Sequence, residues 1–181
     1  MGALRLEDLP SYNYEDYILW EDNWELIYGF PYAMAPAPMI RHQSISSKIA
    51  RNLEDALEDC KKCQALLPVD WKISDDTIVQ PDNSVICIEP KNKAYITKAP
   101  KIIFEILSKS TAKKDKGIKY KLYQQEGVKY YIIVHPDEDM AKVYELKDGK
   151  YIKMSDVSNE TIEFNIEECN IQINFDFSKI W

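Results

Sequence analysis

The chain has 181 residues and a mass of 21.1 kDa, which is enough for one domain with a substantial core. Apolar residues make up 45% of it and charged residues 29%, and this balance excludes fibrous and disordered proteins. The formal net charge of −7 excludes a protein that coats nucleic acid through general positive charge. No window approaches about twenty consecutive apolar residues, and the N-terminus lacks a signal-peptide core, so a soluble cytoplasmic protein is expected.

The first third of the chain predicts a helix, a hairpin and a longer helix. Residues 12–20 have the pattern of a short amphipathic helix, and residues 24–34 predict two strands around a turn that contains Gly29. Residues 40–57 predict a helix with His42 in its first turn, after the prolines at 36 and 38. Its apolar stripe consists of Ile45, Ile49, Leu53 and Leu57.

Two strands are predicted next, over residues 64–73 and 77–88, because these stretches are rich in strand-forming residues and separated by a turn-prone segment. Pro81 precedes Asp82 inside the second stretch. Because proline cannot donate a hydrogen bond to a sheet, an edge position or a bulge is expected there, and bulges redirect side chains near active sites. Residues 89–99 are predicted to form a polar loop.

A strand–helix–strand unit is predicted in the middle of the chain. Residues 101–107 form an apolar run interrupted by Glu105, residues 112–126 have helical periodicity, and residues 128–134 are rich in β-branched and aromatic side chains. Gly127 suits the left-handed position that ends a helix. Such a unit has two parallel strands and a right-handed crossover. Further strands are predicted at residues 141–146, 151–154, 161–166 and 171–177, the first two as a hairpin.

The cysteines give a weak signal for a metal or redox site. Cys60 and Cys63 form a C-x-x-C motif, but no second pair or nearby histidine completes a zinc site in the sequence. A redox motif of this kind normally follows a strand and begins a helix, and this one ends a helix. Cys87 and Cys169 are therefore expected to be small buried residues with free thiols, as in a reducing compartment.

Charge is unevenly distributed along the chain. Residues 1–25 carry a local net charge of −6, whereas residues 109–129 carry seven lysines and a local net charge of +5. The basic stretch is open to two interpretations, a solvated helix face or a surface that binds nucleic acid. The lysines assigned to nucleic-acid binding are Lys109, Lys113, Lys114 and Lys116.

Two carboxylates, Asp82 and Glu105, fall among apolar neighbours in predicted strands. Removing a carboxylate from water costs several kcal/mol unless it is paired or ligated, so either salt bridges or a bound cation is expected. With the backbone carbonyl of Ile106, the two acids would offer oxygen ligands to Mg²⁺. The alternatives are a turn or bulge residue for Asp82 and an acid paired with a lysine for Glu105.

The helix after Glu105 carries Asp115, Lys119 and Tyr123 at spacings of four residues, which places them on one face. Lys119 is the candidate for stabilising negative charge or positioning a water molecule during phosphodiester hydrolysis. The alternative is an ordinary ion pair between Asp115 and Lys119, with Tyr123 as a core aromatic residue.

Several blocks together resemble the Uma family of restriction-endonuclease-like proteins, a branch of the PD-(D/E)XK nuclease superfamily. The resemblance extends from about residue 14 to the C-terminus. It is carried by Glu25-Leu26-Ile27-Tyr28-Gly29, Met34-Ala35-Pro36, His42, Pro81-Asp82, Glu105-Ile106-Leu107-Ser108-Lys109-Ser110-Thr111, Asp115, Lys119, Tyr123, Gly127-Val128 and Tyr130-Tyr131.

The resemblance implies a single restriction-endonuclease-like α/β (α+β) domain over residues 1–181, with a mixed central sheet. Its core, at about residues 40–135, has a helix, three antiparallel strands, a crossover helix and a parallel fourth strand. The N-terminal helix and hairpin at 12–34 and the C-terminal strands at 140–177 extend it.

The resemblance also assigns residues. Asp82 matches the first acid of the superfamily and Glu105 the second. Leu107 stands where the superfamily usually has its lysine, and the family carries that lysine on the next helix, at Lys119.

Further matched positions have smaller expected roles. Glu25, His42, Asp115 and Tyr123 are possible accessory site residues. Ser108 and Thr111 are expected to position the helix. Tyr28 replaces the Asp or Asn often found before the hairpin glycine, which argues against a ligand at that position.

The expected activity is hydrolysis of DNA phosphodiester bonds with Mg²⁺ or Mn²⁺ as cofactor, by a protein that forms a homodimer and has no membrane partner. A catalytically lapsed nuclease fold that binds nucleic acid or protein is the alternative, and Leu107 and the net charge of −7 motivate it. A third possibility is that the acids form a structural ion-pair network.

Overall fold

The computed structural model describes residues 9–34, 39–88 and 94–181. The acidic residues before position 9, the prolines at 36 and 38 and the first part of the predicted 89–99 loop lie outside these ranges. The N-terminal elements are α1 (Tyr14–Tyr17), β1 (Trp24–Ile27), β2 (Phe30–Ala33) and α2 (Ile40–Ala56). The next strands are β3 (Cys63–Leu66), β4 (Trp71–Ser74), β5 (Thr77–Val79), β6 (Asn83–Cys87) and β7 (Ile102–Ile106).

A crossover helix and five more strands follow. The helix consists of α3 (Ala112–Lys114), a π-helical turn (Asp115–Lys119) and α4 (Tyr120–Gln125). The strands are β8 (Tyr130–His135), β9 (Met140–Lys147), β10 (Lys150–Val157), β11 (Thr161–Ile166) and β12 (Ile171–Asp176), with 3₁₀ turns at Glu167–Cys169 and Phe177–Lys179. Within the described ranges, no helix combines the length and the apolar character needed to cross a bilayer.

The predicted nuclease-like core is confirmed. A six-stranded sheet has the order β10-β9-β8-β7-β6-β3, in which β3, β6 and β7 are antiparallel neighbours and β8 lies parallel to β7. Helix α2 precedes these strands, and the crossover helix connects β7 to β8. The division of the chain into domains stays a prediction.

The prediction of two long strands at 64–73 and 77–88 is wrong, because each stretch divides into two strands that belong to different sheets. β3 and β6 lie in the six-stranded sheet, whereas β4 and β5 join the N-terminal hairpin in a four-stranded sheet of order β2-β1-β5-β4. Pro68 lies in the first break and Pro81 in the second. Since proline has no N–H to donate, neither position can continue a ladder, and the chain changes sheets there.

The two faces of the six-stranded sheet are covered differently. One face packs against the apolar stripe of α2 and the β11–β12 hairpin, with Phe104 among the buried residues. The other packs against the crossover helix, with Ile103 and Tyr123 in the cluster. Because side chains alternate along a strand, Glu105 shares the face of Ile103 and points toward the crossover helix.

The cysteine prediction is wrong. Cys87 lies directly opposite Cys63 on neighbouring antiparallel strands, and the two are joined in a disulfide. Cys169, in the 3₁₀ turn before β12, is joined to Cys60 beyond the end of α2. Pairings that close loops of 24 and 109 residues depend on the fold, so the spacing of the cysteines did not reveal them.

Gly29 and Gly127, two of the glycines with positive φ, occupy tight turns. Tyr28 and Gly29, with φ of 53° and 78°, form the two-residue loop between β1 and β2, as a type I′ turn requires. Gly127, with φ of 82°, ends the crossover helix as predicted. The N–H of Val128 donates to the Tyr123 carbonyl at 3.0 Å and the N–H of Gly127 to the Gln124 carbonyl at 3.3 Å, which is a Schellman motif.

Alanine at these two glycines is expected to have unequal effects on stability. An added Cβ at Gly29 would lie 2.2 Å from the Ser11 hydroxyl oxygen, whereas nothing lies within 4 Å of one at Gly127. Gly127→Ala should lower the free energy of unfolding by about 1–2 kcal/mol through backbone strain alone. Gly29→Ala should lower it by up to about 1 kcal/mol more, because the exposed Ser11 side chain must rotate and its Cβ atom, at 3.3 Å, must shift slightly. Urea unfolding measures both, and equal losses would show that Ser11 moves aside at no cost.

Candidate metal and catalytic site

Glu105 lies near the end of β7 with 2% of its surface exposed. Its Oε1 atom accepts hydrogen bonds from Lys119 Nζ at 2.9 Å and from the Tyr123 hydroxyl at 2.7 Å. Both donors come from the crossover helix, on the sheet face to which strand alternation directs Glu105. The three residues that the sequence predicted to act together are therefore in direct contact.

Asp82 lies at the point where β6 and β7 separate. Their pairing ends at Asn83 and Phe104, so the N–H of Ile106 has no partner on β6. That N–H donates instead to Asp82 Oδ2 at 2.7 Å. The contact places the Asp82 carboxylate beside the residue that follows Glu105. The Ile106 N–H, which has no partner in the sheet, thus brings Asp82 close to Glu105.

His42, in the first turn of α2, completes this side of the site. Its Nε2 atom lies 3.3 Å from Asp82 Oδ2, and its side chain is 16% exposed. Burial opposes the charged imidazolium, but the hydrogen bond to Asp82 and the charge of that carboxylate outweigh it and raise the pKa of His42. A protonated His42 would hold the Asp82 carboxylate in place.

Lys119 occupies the centre of the buried charges. Its Nζ atom lies 2.7 Å from Glu25 Oε1, 2.9 Å from Glu105 Oε1 and 3.7 Å from Asp115 Oδ1. Burial opposes its charge, but the three surrounding carboxylates raise the pKa of Lys119 well above its ordinary value. The side chain is therefore an ammonium ion, although only 2% of it is exposed.

Glu25 brings the N-terminal hairpin into the site. It is fully buried on β1, where its Oε1 atom also accepts the N–H of Gln80 at 2.9 Å and its Oε2 atom pairs with Lys114. Burial alone would raise the pKa of Glu25, but the charges of Lys119 and Lys114 lower it. Glu25 is thus the carboxylate that balances the lysines of the crossover helix.

The π-helical turn at Asp115–Lys119 sets the direction of both of its terminal side chains. The carbonyl oxygen of Asp115 accepts a hydrogen bond from the Tyr131 hydroxyl at 2.9 Å, so the widened turn is anchored to β8. Turns of this kind are rare and occur frequently at functional sites. The sequence predicted an uninterrupted α-helix over residues 112–126, whereas the structure has a π-helical turn within it.

The site holds more acidic than basic groups. Asp82, Glu105, Asp115 and Glu25 lie close to the ammonium groups of Lys114 and Lys119 and to the imidazole of His42. Burial and the like charges of Asp115 and Asp82 outweigh Lys119 and raise the pKa of Glu105 well above its ordinary value. Burial also raises the pKa of Asp115, despite the attraction of Lys119.

The acids and the backbone of Ile106 offer oxygen atoms of the kind that bind divalent cations. The two hydrogen bonds of Glu105 both use Oε1, and those of Asp82 both use Oδ2. Asp115 Oδ1 is buried without a hydrogen-bond partner. Because Leu107 N–H donates to Val134 on β8, the backbone of Ile106 faces the opposite side, toward Asp82. Carboxylate and carbonyl oxygens are the ligands that Mg²⁺ prefers.

Other sequence-assigned residues lie nearby. Leu107 is 9% exposed and packs in the core cluster under the crossover helix. Ser108 and Thr111 exchange hydrogen bonds between backbone N–H and side-chain oxygen, at 3.2 Å each way, in the turn before α3. Tyr28 is 48% exposed and its hydroxyl donates to Gln125 at 3.1 Å, away from the acids.

The four lysines assigned to nucleic-acid binding differ in exposure. Lys109, Lys113 and Lys116 are exposed on the crossover segment. Lys114 departs from the prediction, because its ammonium is paired with Glu25 and only 12% of its side chain is exposed. One of the four assigned lysines is thus neutralised by Glu25 inside the protein.

Three contacts of the site were missed from the sequence. Lys114 pairs with Glu25, the N–H of Gln80 binds the same acid, and Tyr131 binds the Asp115 carbonyl. Tyr131 belonged to a recognisable block, but its role depends on the π turn. Gln80 acts through its backbone, and no side-chain pattern can reveal such a contact.

Replacing Lys119 by methionine is expected to destabilise the protein strongly. Glu25 and Glu105 would remain buried without the ammonium between them, and breaking a buried pair in this way costs about 3–5 kcal/mol. Lys121→Met is the matched control, since Lys121 is exposed on the same helix. Thermal and urea unfolding measure both variants. A loss as small as that of the control would contradict the central role of Lys119.

Comparisons with known proteins agree with this architecture. A crystal structure described as "a putative nuclease belonging to DUF820 from Anabaena variabilis ATCC 29413" is similar, with a TM-score of 0.73 and 16% identity. The match covers 93% of this chain and 96% of the other. A comparison with curated proteins finds no match. The model of the Uma2 family, described as "Putative restriction endonuclease", matches residues 14–174, and the chain therefore belongs to that family.

Proposed function

We propose that the protein is a divalent-metal-dependent endonuclease that hydrolyses DNA phosphodiester bonds. The observation that carries this proposal is the approach of Asp82 to the backbone of Ile106, immediately beside Glu105 and its partner Lys119. Family membership supports a nuclease, and nucleases with this fold generally use divalent metals. The identity of the metal, the preference for DNA and the residue roles belong to the proposal.

Asp82, Glu105 and the Ile106 carbonyl are the proposed ligands of Mg²⁺ or Mn²⁺. When bound, the cation would supply an acidified water molecule and neutralise charge on the phosphate. The hydrogen bonds of each acid use one carboxylate oxygen, and the other oxygen would be available to the cation. Asp115, whose buried Oδ1 atom accepts no hydrogen bond, is an accessory acid that would accept one from a water molecule in the site.

Leu107 occupies the position of the superfamily's usual lysine, and Lys119 is proposed to supply the catalytic ammonium instead. Its ammonium would stabilise the negative charge that develops on the phosphate, and preorganised charges of this kind are effective in buried sites. Glu25 and Tyr123 are accessory residues, because Glu25 fixes the ammonium and Tyr123 fixes the Glu105 carboxylate. His42 is an accessory residue that fixes the Asp82 carboxylate.

DNA would reach the site along the exposed lysines Lys109, Lys113 and Lys116, which can contact phosphates. Cutting both strands of a duplex takes two sites, so a cytoplasmic homodimer with two equivalent sites is part of the proposal. Light scattering of the purified protein, with and without DNA, measures its oligomeric state.

Loss of either acid is expected to abolish cleavage. Purified protein is incubated with plasmid and linear DNA and Mg²⁺ or Mn²⁺, beside Asp82→Ala, Glu105→Ala and the control Glu163→Ala, whose residue is exposed on β11. The two site variants should lose at least about 10²-fold in rate, since they remove charge stabilisation in the transition state. The control should cut normally. Cleavage that survives both site substitutions would overturn the assignment.

Metal binding is expected to strengthen as pH rises. The raised pKa of Glu105 means that a proton competes with the cation for its carboxylate. Below that pKa the affinity for Mn²⁺ should rise by up to about tenfold per pH unit, with release of a proton. Calorimetric titration in buffers of different ionisation enthalpy measures both quantities. Affinity that is independent of pH, or uptake that survives Glu105→Gln, would contradict a role for Glu105 as ligand.

A second candidate is a lapsed nuclease whose acids form a structural network. It is favoured by the direct pairing of Lys119 with Glu105 and by Leu107 at the usual lysine position. This candidate predicts that Asp82→Ala and Glu105→Ala lower thermal stability, while the unmodified protein binds no divalent metal at these acids. Metal uptake that disappears in Asp82→Ala would exclude it.

A further inference from the structure

The four cysteines of the chain lie in one cluster at the end of α2, on the sheet face opposite the crossover helix. Cys60 and Cys169 form one disulfide, and Cys63 and Cys87 form the other. The two disulfides are in contact, since the sulfur atoms of Cys63 and Cys169 lie 3.7 Å apart. Two disulfides that served separate roles would not need their sulfur atoms to be in contact.

Three of the four sulfur atoms have a spacing compatible with a shared metal ion. Those of Cys60, Cys63 and Cys169 all lie within 4.8 Å of one another, and Cys87 is bonded to Cys63. In a tetrahedral site with Zn–S bonds of about 2.3 Å, the sulfur atoms are about 3.8 Å apart. The Cys63–Cys169 separation already has this value.

The positions of the cysteines are also those of a structural zinc site. Cys60 and Cys63 form a C-x-x-C turn between α2 and β3, and the other two ligands come from a facing strand and a distant turn. Cys60, Cys63 and Cys87 are each less than 8% exposed and Cys169 is half-buried, so little of the cluster reaches solvent. Closed sites with four protein ligands stabilise a fold, whereas catalytic zinc sites keep an open position.

We infer that Cys60, Cys63, Cys87 and Cys169, when reduced, bind one zinc ion in a structural site that joins the C-terminal β11–β12 hairpin to the core. A dithiol reductant opens each disulfide by supplying two electrons and two protons. Zinc then binds the cysteines as thiolates and displaces the thiol protons into solvent. Lys61 and Lys62, exposed between the first two ligands, offset part of the negative charge of the thiolates.

This site is chemically separate from the acidic one. Thiolates select zinc, whereas carboxylate and carbonyl oxygens suit Mg²⁺ and Mn²⁺. The two proposals can therefore fail independently. Loss of zinc should leave the Mn²⁺ affinity of Asp82 and Glu105 measurable, and substitution of the acids should leave zinc in place.

The experiment uses the whole chain, purified with a thiol reductant and without chelators. Elemental analysis should find one zinc per chain, and exchange with Co²⁺ should give the sulfur-to-cobalt charge transfer and intense visible bands of a tetrahedral thiolate site. The double variant Asp82→Ala/Glu105→Ala is the matched control and should retain the zinc. Cys169→Ser should lose it or exchange it much faster.

Three results would overturn the inference. The first is a reduced protein that contains no zinc and gives no tetrahedral cobalt spectrum. The second is zinc that disappears in the Asp82→Ala/Glu105→Ala variant but persists in Cys169→Ser. The cobalt spectrum of the unmodified chain decides the question even where a cysteine variant fails to fold. Both disulfides surviving in excess reductant, as shown by thiol titration, would likewise exclude the zinc site.

Discussion

The buried ammonium group of Lys119 is the interaction on which the arrangement depends. It is carried by the crossover helix, and it contacts Glu105 on the central sheet and Glu25 on the N-terminal hairpin. Desolvating such charges costs several kcal/mol per ion unless each finds partners with good geometry. The hairpin, the sheet and the helix must therefore all be in place before the charge is compensated. This makes the N-terminal sheet part of the site, and Glu25 supplies a constraint that the nuclease core alone would lack.

The lack of a proline N–H, which divides the predicted strand at Pro81, also creates the opening at Asp82. Pro81 cannot take part in a ladder, so the chain leaves the four-stranded sheet there and enters the six-stranded sheet at Asn83. Because β6 begins only at Asn83, the N–H of Ile106 has no partner on that strand. It donates to the Asp82 carboxylate instead. A break in regular structure thus provides both an acid and free backbone at one point. Places where local rules fail are often functional ones.

Local pattern accounted for much of the fold and for part of the site. Periodicity predicted α2 and the crossover unit within a few residues, because each is long and has one apolar face. Glu105 stood out because it interrupts an apolar strand. The pairing of Lys114 with Glu25 joins residues 89 positions apart, and the clustering of Cys60 with Cys169 joins residues 109 apart. Such contacts depend on how sheets and helices pack, which no spacing along the chain records. The assigned roles at the acids themselves stay predictions.

Strand β6 connects the two metal sites that we propose. It begins at Asn83, next to Asp82, and ends at Cys87, so at a rise of about 3.3 Å per residue the two sites lie about 16 Å apart. A closed thiolate site at Cys87 would fix the position of β6 against β3, α2 and the C-terminal turn. Asp82 leads into that strand where its pairing with β7 ends. Catalytic ligands must be held to a fraction of an ångström by rigid neighbours. Because the break at Pro81 leaves Asp82 outside both sheets, the proposed ligand role of Asp82 would depend on firm placement of β6.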